Sequence, residues 1–309
     1  MSVFTAPHFR DDEAARVYLE GLLWADGPVC PHCGVVDHAY ATKRPGVYRC
    51  AEKECRKDFT VTMRTVMERS KIALHKWLIG FHLMASSKKG ISTHQLHRTL
   101  DITYRSAWFM AHRIREAMRA GGIAPPMGGD GKIVEADETY FGKVEPSKRR
   151  TKTTSGRSFT KKGKAANNRP IVSLVERGGN VRSFHVAVAN KVNVTEIVRG
   201  NVDKETRLHT DESRLYHGSE AHFATHETVK HSAKEYARGD VNTNSVEGYF
   251  SIFKRGMRGV YQHCAEKHLH RYLAEFDFRY NARKITDGER AVLLVLGISG
   301  KRLTYRQAN

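Results

Sequence analysis

Two pairs of cysteines near the start of the chain constrain its fold more than any other feature. Two residues separate Cys30 from Cys33, and four separate Cys50 from Cys55. Each pair can present two thiolates from one tight turn, and the chain between the pairs is long enough to form a hairpin that brings the turns together. The spacing therefore predicts one tetrahedral zinc ion, which would replace the hydrophobic core that so short a segment cannot supply.

Other interpretations of the cysteines stay open at this point. His32 or His38 could replace one cysteine as a ligand, because four residues rather than two separate the second pair. Buried unreactive thiols or disulfides are a further alternative. If four thiolates hold the metal, no position is left for a reacting water, so we expect the zinc to be structural.

The charge of the chain indicates a polyanionic partner. Among 309 residues, 52 are Lys or Arg and 33 are Asp or Glu, which gives a formal net charge of +19. Clustered basic residues favour nucleic acid because they release counterions from its phosphates. We expect no membrane association, since no apolar run approaches the roughly 20 residues that span a bilayer. The N-terminus has acids where a signal peptide would be basic and then apolar, so we expect a cytoplasmic protein.

Helical patterns dominate the first part of the chain. Apolar residues recur with helical spacing over 11–24, and again in three successive segments within 70–118. Ser70 is the predicted N-cap of the first of these segments, and Ser92 or Thr93 that of the second. The order and lengths of the three segments predict a helix-turn-helix module. Basic residues of the third segment are the candidate DNA contacts: Arg105, Arg113 and Arg115.

The pattern changes after a linker rich in Gly and Pro. Alternating and β-branched runs then predict strands, and residues 178–180 predict a hairpin turn between two of them. Helical patterns follow, which is typical of an α/β domain with a central sheet. Between the first two strands, 143–168 holds nine Lys or Arg and a single acid. We predict that this segment is a mobile loop that contacts DNA phosphates without sequence preference.

Three carboxylates stand where an α/β sheet commonly places ligands. Asp137 interrupts a strand-like run, Asp211 ends a short strand, and Glu247 lies in the first turn of a helix. Each alone could be an ion-pair partner, a turn cap or a solvated side chain. Together their oxygens suit Mg²⁺ or Mn²⁺, and two such ions can promote phosphoryl transfer.

Neighbouring polar residues leave a choice of ligands. Asn244 shares one helix face with Glu247 and Lys254, so this face carries an amide, a carboxylate and an ammonium beside the other two acids. We favour Glu247 because an anion holds Mg²⁺ better than an amide does. Glu138 and Glu212 are set aside because regular strands would direct them to the side opposite Asp137 and Asp211.

The chain resembles bacterial insertion-sequence transposases of the zinc-ribbon, ISXO-like DDE type. The matching segments, which extend over nearly the whole chain, are CPHCG at 30–34, RKDFTVTMRTVMERSKIALHKW at 56–77, SKKGIS at 87–92, AWFMAHRIREAM at 107–118, ADETYFGK at 136–143, HTDES at 209–213 and NTNSVEGYFSIFKRGMRGVYQH at 242–263. The resemblance implies a ribonuclease-H-like catalytic domain whose triad is Asp137, Asp211 and Glu247. The predicted organisation is an N-terminal helix and zinc ribbon at 1–62, a helix-turn-helix module at 63–120, a linker at 121–131 and the catalytic domain at 132–309.

The resemblance also implies a function. Such enzymes cut DNA at terminal inverted repeats and join the freed 3′-hydroxyl to target DNA, with two ends held by a homo-oligomer. Lys254 would contact DNA near the cleaved end. Two alternatives remain: a catalytically inactive zinc-ribbon regulator that only binds DNA, and a nuclease that hydrolyses DNA without strand transfer.

Overall fold

The computed structural model of the chain describes residues 3–121, 124–143, 148–152, 158–162, 168–233, 235 and 237–308. The chain divides into two compact units. The first unit is Met1–Gly121 together with Ala282–Asn309, and the second is Gly122–Asn281. The predicted catalytic domain at 132–309 differs from this division at its C-terminal end, where the last segment belongs to the first unit.

The helices and strands follow one another in this order. The first unit begins with α1 (Asp12–Leu23), β1 (Ala39–Ala41), β2 (Tyr48–Cys50), β3 (Asp58–Phe59), α2 (Leu74–Ser86), α3 (Thr93–Leu100) and α4 (Tyr104–Met118). The second unit has β4 (Ile133–Lys143), β5 (Lys148–Lys152), β6 (Ser158–Lys162), β7 (Asn168–Glu176), β8 (Val181–His185), α5 (Lys191–Asn201), β9 (Arg207–Asp211), β10 (Thr225–Val229), β11 (Ala237–Arg238), β12 (Val241–Asn242), α6 (Asn244–Gly256) and α7 (Leu269–Asn281). The first unit ends with α8 (Asp287–Leu296) and α9 (Tyr305–Ala308).

Strands β1, β2 and β3 form a small antiparallel sheet beside the cysteines. Its apolar contacts come largely from three aromatic rings. The Trp24 ring lies 5.2 Å from that of Tyr48 and 5.8 Å from that of Phe59, between centroids. So few apolar side chains cannot stabilise a sheet this short by burial alone, which fits a segment that depends on a metal.

The helix caps of the first unit are partly those that the sequence predicts. Ser92 accepts from the Gln95 amide at 3.1 Å and caps α3, as expected. The prediction for Ser70 is wrong, because α2 begins at Leu74. The Ser70 hydroxyl instead accepts from the Trp77 indole N–H at 3.0 Å, so an interaction with the buried indole replaces the expected cap.

Helix α8 packs against α2, which explains why the C-terminal segment belongs to the first unit. Arg290 of α8 is buried and donates hydrogen bonds to the carbonyls of Ala85 and Ala282, both at 3.1 Å. A buried guanidinium needs such acceptors, so this contact fixes the position of α8.

The second unit is built on a five-stranded sheet in the order β10-β9-β4-β7-β8. Strands β4, β7 and β8 pair antiparallel, and β9 runs parallel to both β4 and β10. The hairpin predicted at 178–180 is confirmed, since it joins β7 to β8. The mixed α/β architecture is thus the predicted class, although the sequence pattern did not indicate β10.

Helices cover both faces of this sheet. On one face, α6 and α7 contribute Val246, Phe253 and Phe276, which pack against Ile171 and Val175 of β7. On the other face, the core combines α5 with β4, β7 and β9, and its central residues are Val194, Val198, Val134, Leu174 and Leu208. Strand β7 is therefore buried along most of its length, as expected of a central strand.

The basic segment 143–168, predicted as a loop, contains two strands. Strands β5 and β6 pair antiparallel within it, with Arg150 opposite Thr160. A hairpin pairs the backbone donors and acceptors that face each other across its two strands, and water can satisfy the others, which is why charge composition did not exclude it. The rest of the predicted loop, at 144–147, 153–157 and 163–167, lies outside the described residues.

Candidate active site

The four cysteines converge in the first unit. The Cys30 and Cys55 Sγ atoms are 3.8 Å apart, those of Cys33 and Cys50 are 3.6 Å apart, and all four Sγ atoms lie within 4.8 Å of one another. A zinc ion with Zn–S bonds of about 2.3 Å requires sulfur atoms roughly 3.8 Å apart, so the four thiols fit tetrahedral zinc. The arrangement shows no disulfide among them.

The histidines proposed as alternative ligands do not join the cysteine cluster. The imidazole Nδ1 of His38 instead lies 2.7 Å from the Glu52 carboxylate, and both side chains are about half exposed. The four thiols therefore form the candidate metal centre.

A second cluster forms in the other unit, where the middle of β4 lies beside the C-terminal end of β9. Asp137 and Glu138 of β4 and Asp211, the last residue of β9, each place a carboxylate oxygen within 4.8 Å of the others. The parallel pairing of the two strands brings the aspartates together across a large separation in sequence. Asp211 also caps the following turn, because its Oδ1 accepts from the Ser213 amide at 3.0 Å.

The electrostatics of this cluster favour a cation. Burial, followed by the negative charges of Asp211, Glu138 and Glu247, raises the pKa of the Asp137 carboxyl to about 8. Burial likewise raises the pKa of Glu138. Carboxylates that crowd one another out of water are stabilised in their charged form by a bound cation, and their oxygens suit Mg²⁺ or Mn²⁺.

The position of Glu138 corrects a sequence-based expectation. Strand alternation predicts that it points away from Asp137, but its carboxylate reaches the cluster. Hydroxyl groups hold it there, with Ser213 Oγ donating at 3.1 Å and the Tyr216 hydroxyl at 2.9 Å. Alternation fixes the direction of Cβ but not the end of a longer side chain. Glu212, in contrast, is exposed and bonded to Ser232.

Glu247 lies in the first turn of α6 and is exposed. The hydroxyl of Thr243 donates to its Oε1 at 3.0 Å. Glu247 lies outside the group of three clustered carboxylates, but its charge contributes to the raised pKa of Asp137. Asn244 is exposed one turn earlier, and the Lys254 ammonium lies 5.9 Å from the centre of the Phe250 ring.

Glu135, which is not among the residues predicted from the sequence, connects β4 to the start of α6. This side chain is fully buried, and its Oε2 accepts from the amides of Ser245 at 2.7 Å and Val246 at 3.1 Å. A carboxylate at a helix N-terminus satisfies unpaired amides and stabilises the helix dipole. The available signal was an acid between apolar strand residues, the same signal that selected Asp137.

Arg177 completes this connection. Its guanidinium donates to Glu135 Oε1 at 3.0 and 2.8 Å, and to the carbonyl of Asn242 at 3.2 Å, just before α6 begins. The ion pair compensates the buried charge of Glu135. Strand β4, which carries Asp137, is thereby fixed to the helix that carries Glu247.

The structure corrects two of the three predicted DNA contacts in α4. Arg113 is buried and donates to the carbonyls of Leu303 at 3.2 Å and Glu68 at 2.9 Å, and Arg115 is buried as well. The second half of α4 is enclosed on nearly all sides, so its arginines face protein. Arg105, in the first turn, is exposed, with its Nε 3.0 Å from the Tyr305 hydroxyl.

The family comparisons agree with the division into two units. The ISXO2-like transposase domain matches residues 128–281, within the second unit, and the transposase zinc-ribbon domain matches residues 10–58. A similar chain is the uncharacterized protein in transposable element ISH50 of Halobacterium salinarum. It is 28% identical over 283 residues, which cover 88% of this chain and 91% of the relative.

Among solved structures, the Mos1 mariner paired end complex with Mn is similar at 13% identity and a TM-score of 0.20, over 65% of this chain and 75% of that chain. A similarity at this level supports no conclusion about fold or function. In the part of the chain that the structure describes, no helix is both long and apolar enough to cross a membrane.

On the two domain matches and the relative from a transposable element, the chain belongs to the ISXO2-like transposases that carry a zinc ribbon.

Proposed function

We propose that this protein is a DDE transposase that binds the terminal inverted repeats of an insertion sequence, cuts the DNA there and joins the freed 3′ ends to target DNA. The observation that carries the proposal is the convergence of Asp137 and Asp211 on the adjacent strands β4 and β9, inside the segment that matches a transposase domain. Glu247, at the start of α6, supplies the third acid of the triad.

The three acids of the triad would hold divalent metal ions, Mg²⁺ or Mn²⁺. Carboxylate oxygens are the ligands that these hard cations prefer, and the crowding of Asp137 and Asp211 suits a cation between them. When bound, two such ions activate the attacking oxygen and stabilise the leaving one. The chain's own residues fix the acids: the β4–β9 pairing sets Asp137 against Asp211, and Glu135 anchors the helix that carries Glu247.

A ribonuclease-H-like fold for the second unit is part of the proposal. Three antiparallel strands followed by two strands parallel to the first form its sheet, with helices on both faces. In this order the middle of β4, which carries Asp137, lies beside the C-terminal end of β9, which carries Asp211.

The first unit would recognise the inverted repeats through a helix-turn-helix. Helices α3 and α4 are separated by a short turn at 101–103, in which Asp101 takes a left-handed conformation with φ of 46°. The turn presents the start of α4, and Arg105 and Tyr104 are exposed there. These side chains, with Arg98 of α3, are the proposed DNA contacts, since helix N-termini commonly read base edges in the major groove.

Other contacts complete the proposed complex. Lys254, on the face of α6 that carries Glu247, would bind DNA near the cleaved end, and the basic hairpin β5–β6 would bind phosphates without sequence preference. The four cysteines would hold a structural Zn²⁺. We also propose that a homo-oligomer holds two ends, because joining both ends of one element to one target requires them together.

The test is a strand-transfer assay with purified full-length protein, Mg²⁺ and labelled DNA that carries the inverted repeats flanking the gene. A transposase should cut at the repeat and link the labelled 3′ end to a second duplex. A regulator without chemistry would bind the repeat and leave it uncut, and a nuclease would cut it without linkage. Either result would overturn the proposal.

A further inference from the structure

The carboxylate cluster contains an acid that the DDE triad does not use. Glu138 lies beside Asp137 and Asp211, with a carboxylate oxygen of each residue within 4.8 Å of the other two. The third acid of the triad, Glu247, lies outside that group. The part of the metal site that the fold assembles by itself is thus made of Asp137, Glu138 and Asp211.

The orientation of Glu138 is built into the fold. Tyr216, whose side chain is 1% exposed, donates to Oε2 at 2.9 Å, and Ser213 donates to Oε1 at 3.1 Å. Each carboxylate oxygen can accept two hydrogen bonds, so each keeps a lone pair for a cation. These contacts cross from β4 to the segment after β9, which holds the Glu138 carboxylate on the side of Asp211.

We propose that Glu138 is a ligand of the divalent metal ion that Asp137 and Asp211 hold, and that Ser213 and Tyr216 position it for that role. The proposal rests on the proposed function, because it assumes that the carboxylate cluster binds the ion used in DNA cleavage. Three carboxylates around one hard cation offset their mutual repulsion by attraction to the ion.

A titration with Mn²⁺ alone tests this role without measuring activity. Full-length, zinc-loaded protein is titrated, and free Mn²⁺ is followed by its electron paramagnetic resonance signal. Glu138→Gln keeps the acceptor oxygen and the size of the side chain, and it should weaken Mn²⁺ binding by about tenfold or more. Glu212→Gln is the matched control, because Glu212 adjoins Asp211 but bonds to Ser232, and its affinity should stay within about twofold of the wild-type value.

Two further variants separate the possible failures. Glu138→Asp keeps the charge but withdraws the carboxylate by one methylene, so it should also weaken binding and serves if the Gln variant fails to fold. Wild-type affinity in either folded variant would overturn the role of Glu138. Asp211→Asn should weaken binding as well. If it does while both Glu138 variants bind normally, only this inference fails, whereas unchanged binding by Asp211→Asn, or none by the wild type, would overturn the proposed metal site too.

Discussion

At the scale of single residues, a proton and a metal ion compete for the carboxylate of Asp137. Burial, with repulsion from Asp211 second, raises the pKa of Asp137 to about 8. In the absence of metal this carboxyl is therefore protonated at neutral pH. A cation that binds there must displace the proton, because only the carboxylate coordinates it.

Metal affinity should consequently depend on pH in a defined direction. The pKa of Asp137 lies above neutrality in the metal-free state, so Mn²⁺ binding should strengthen as the pH rises toward 8 and level off above it. Below that pH the change should approach about tenfold per unit, since one proton is released for each ion bound. Isothermal titration calorimetry from pH 6 to 9, in buffers of different ionisation enthalpy, measures both affinity and proton release. Affinity that does not change with pH would contradict this account.

The triad assignment makes a sharper prediction about chemistry. Asp137→Ala, Asp211→Ala and Glu247→Ala should each abolish cleavage and strand transfer, because a metal site that lacks one acid loses the geometry for in-line attack. Binding to the inverted repeat should stay nearly intact, since the proposed contacts that recognise the repeat lie in the first unit and none of the three acids is a proposed DNA contact. Gel-shift and strand-transfer assays on the same preparations separate the two effects.

Asn244→Ala is the control for the third ligand. It should reduce activity less than Glu247→Ala, because a neutral amide holds Mg²⁺ more weakly than a carboxylate. An inactive Asn244 variant beside an active Glu247 variant would transfer the role to Asn244. Activity in all four variants would refute the triad.

At the scale of elements, the buried carboxylate of Glu135 holds the start of helix α6. Glu135→Gln removes the charge that pairs with Arg177 and meets the amides of Ser245 and Val246. We expect the free energy of unfolding to fall by about 2–4 kcal/mol, as for a broken buried ion pair. The cleavage rate of the folded protein should fall too, because the start of α6 positions Glu247. Urea denaturation and single-turnover cleavage measure the two effects.

The control for this prediction is another buried acid of the same unit. Glu275 of α7 is fully buried and pairs with Arg279, so Glu275→Gln should destabilise the unit by a comparable amount. Tyr261 and Arg279, which donate hydrogen bonds to Glu275, lie outside the first turn of α6, so the cleavage rate of this variant should remain near that of the wild type. Equal losses of rate in the two variants would show that Glu135 acts through stability alone.

The zinc ribbon makes its own prediction at this scale. Cys33→Ser removes one of four thiolates, and the short sheet β1–β3 has too small a core to persist without the metal. Zinc content should fall from one ion per chain to nearly none, and near-ultraviolet circular dichroism from Trp24 and Tyr48 should weaken. Native protein prepared without chelators that contains no zinc in elemental analysis would refute the site.

Local patterns predicted the elements better than the contacts between them. The cap of α3, the β7–β8 hairpin and the paired cysteines depend on a few adjacent residues, so the sequence reveals them. The burial of Arg113 depends on carbonyls of residues 68 and 303, which no local pattern identifies. The inward position of Glu138 depends in the same way on Tyr216, far along the chain.

At the scale of the whole molecule, the chain returns to the first unit after the second unit ends, with the segment Ala282–Asn309. Linear order assigns the segment that contains α8 to the predicted catalytic domain at 132–309, because it suggests that a segment packs with what precedes it. Its packing against α2 is a long-range contact, and the family match ends at residue 281, where the second unit also ends. We therefore expect the catalytic function to depend on the second unit, which ends at residue 281. Residues 282–309 are expected to contribute to the stability of the first unit.

Arg290→Ala tests that division in the intact protein. The buried guanidinium donates to the carbonyls of Ala85 and Ala282, so its loss leaves both without this donor and should destabilise the first unit by about 1–3 kcal/mol. Hydrogen exchange measured by mass spectrometry should accelerate in α2 and α8 and stay unchanged in β4 and β7. Arg199→Ala, on an exposed part of α5, is the control and should change neither region. Faster exchange in the central sheet of the Arg290 variant would instead assign α8 to the catalytic domain, as linear order suggests.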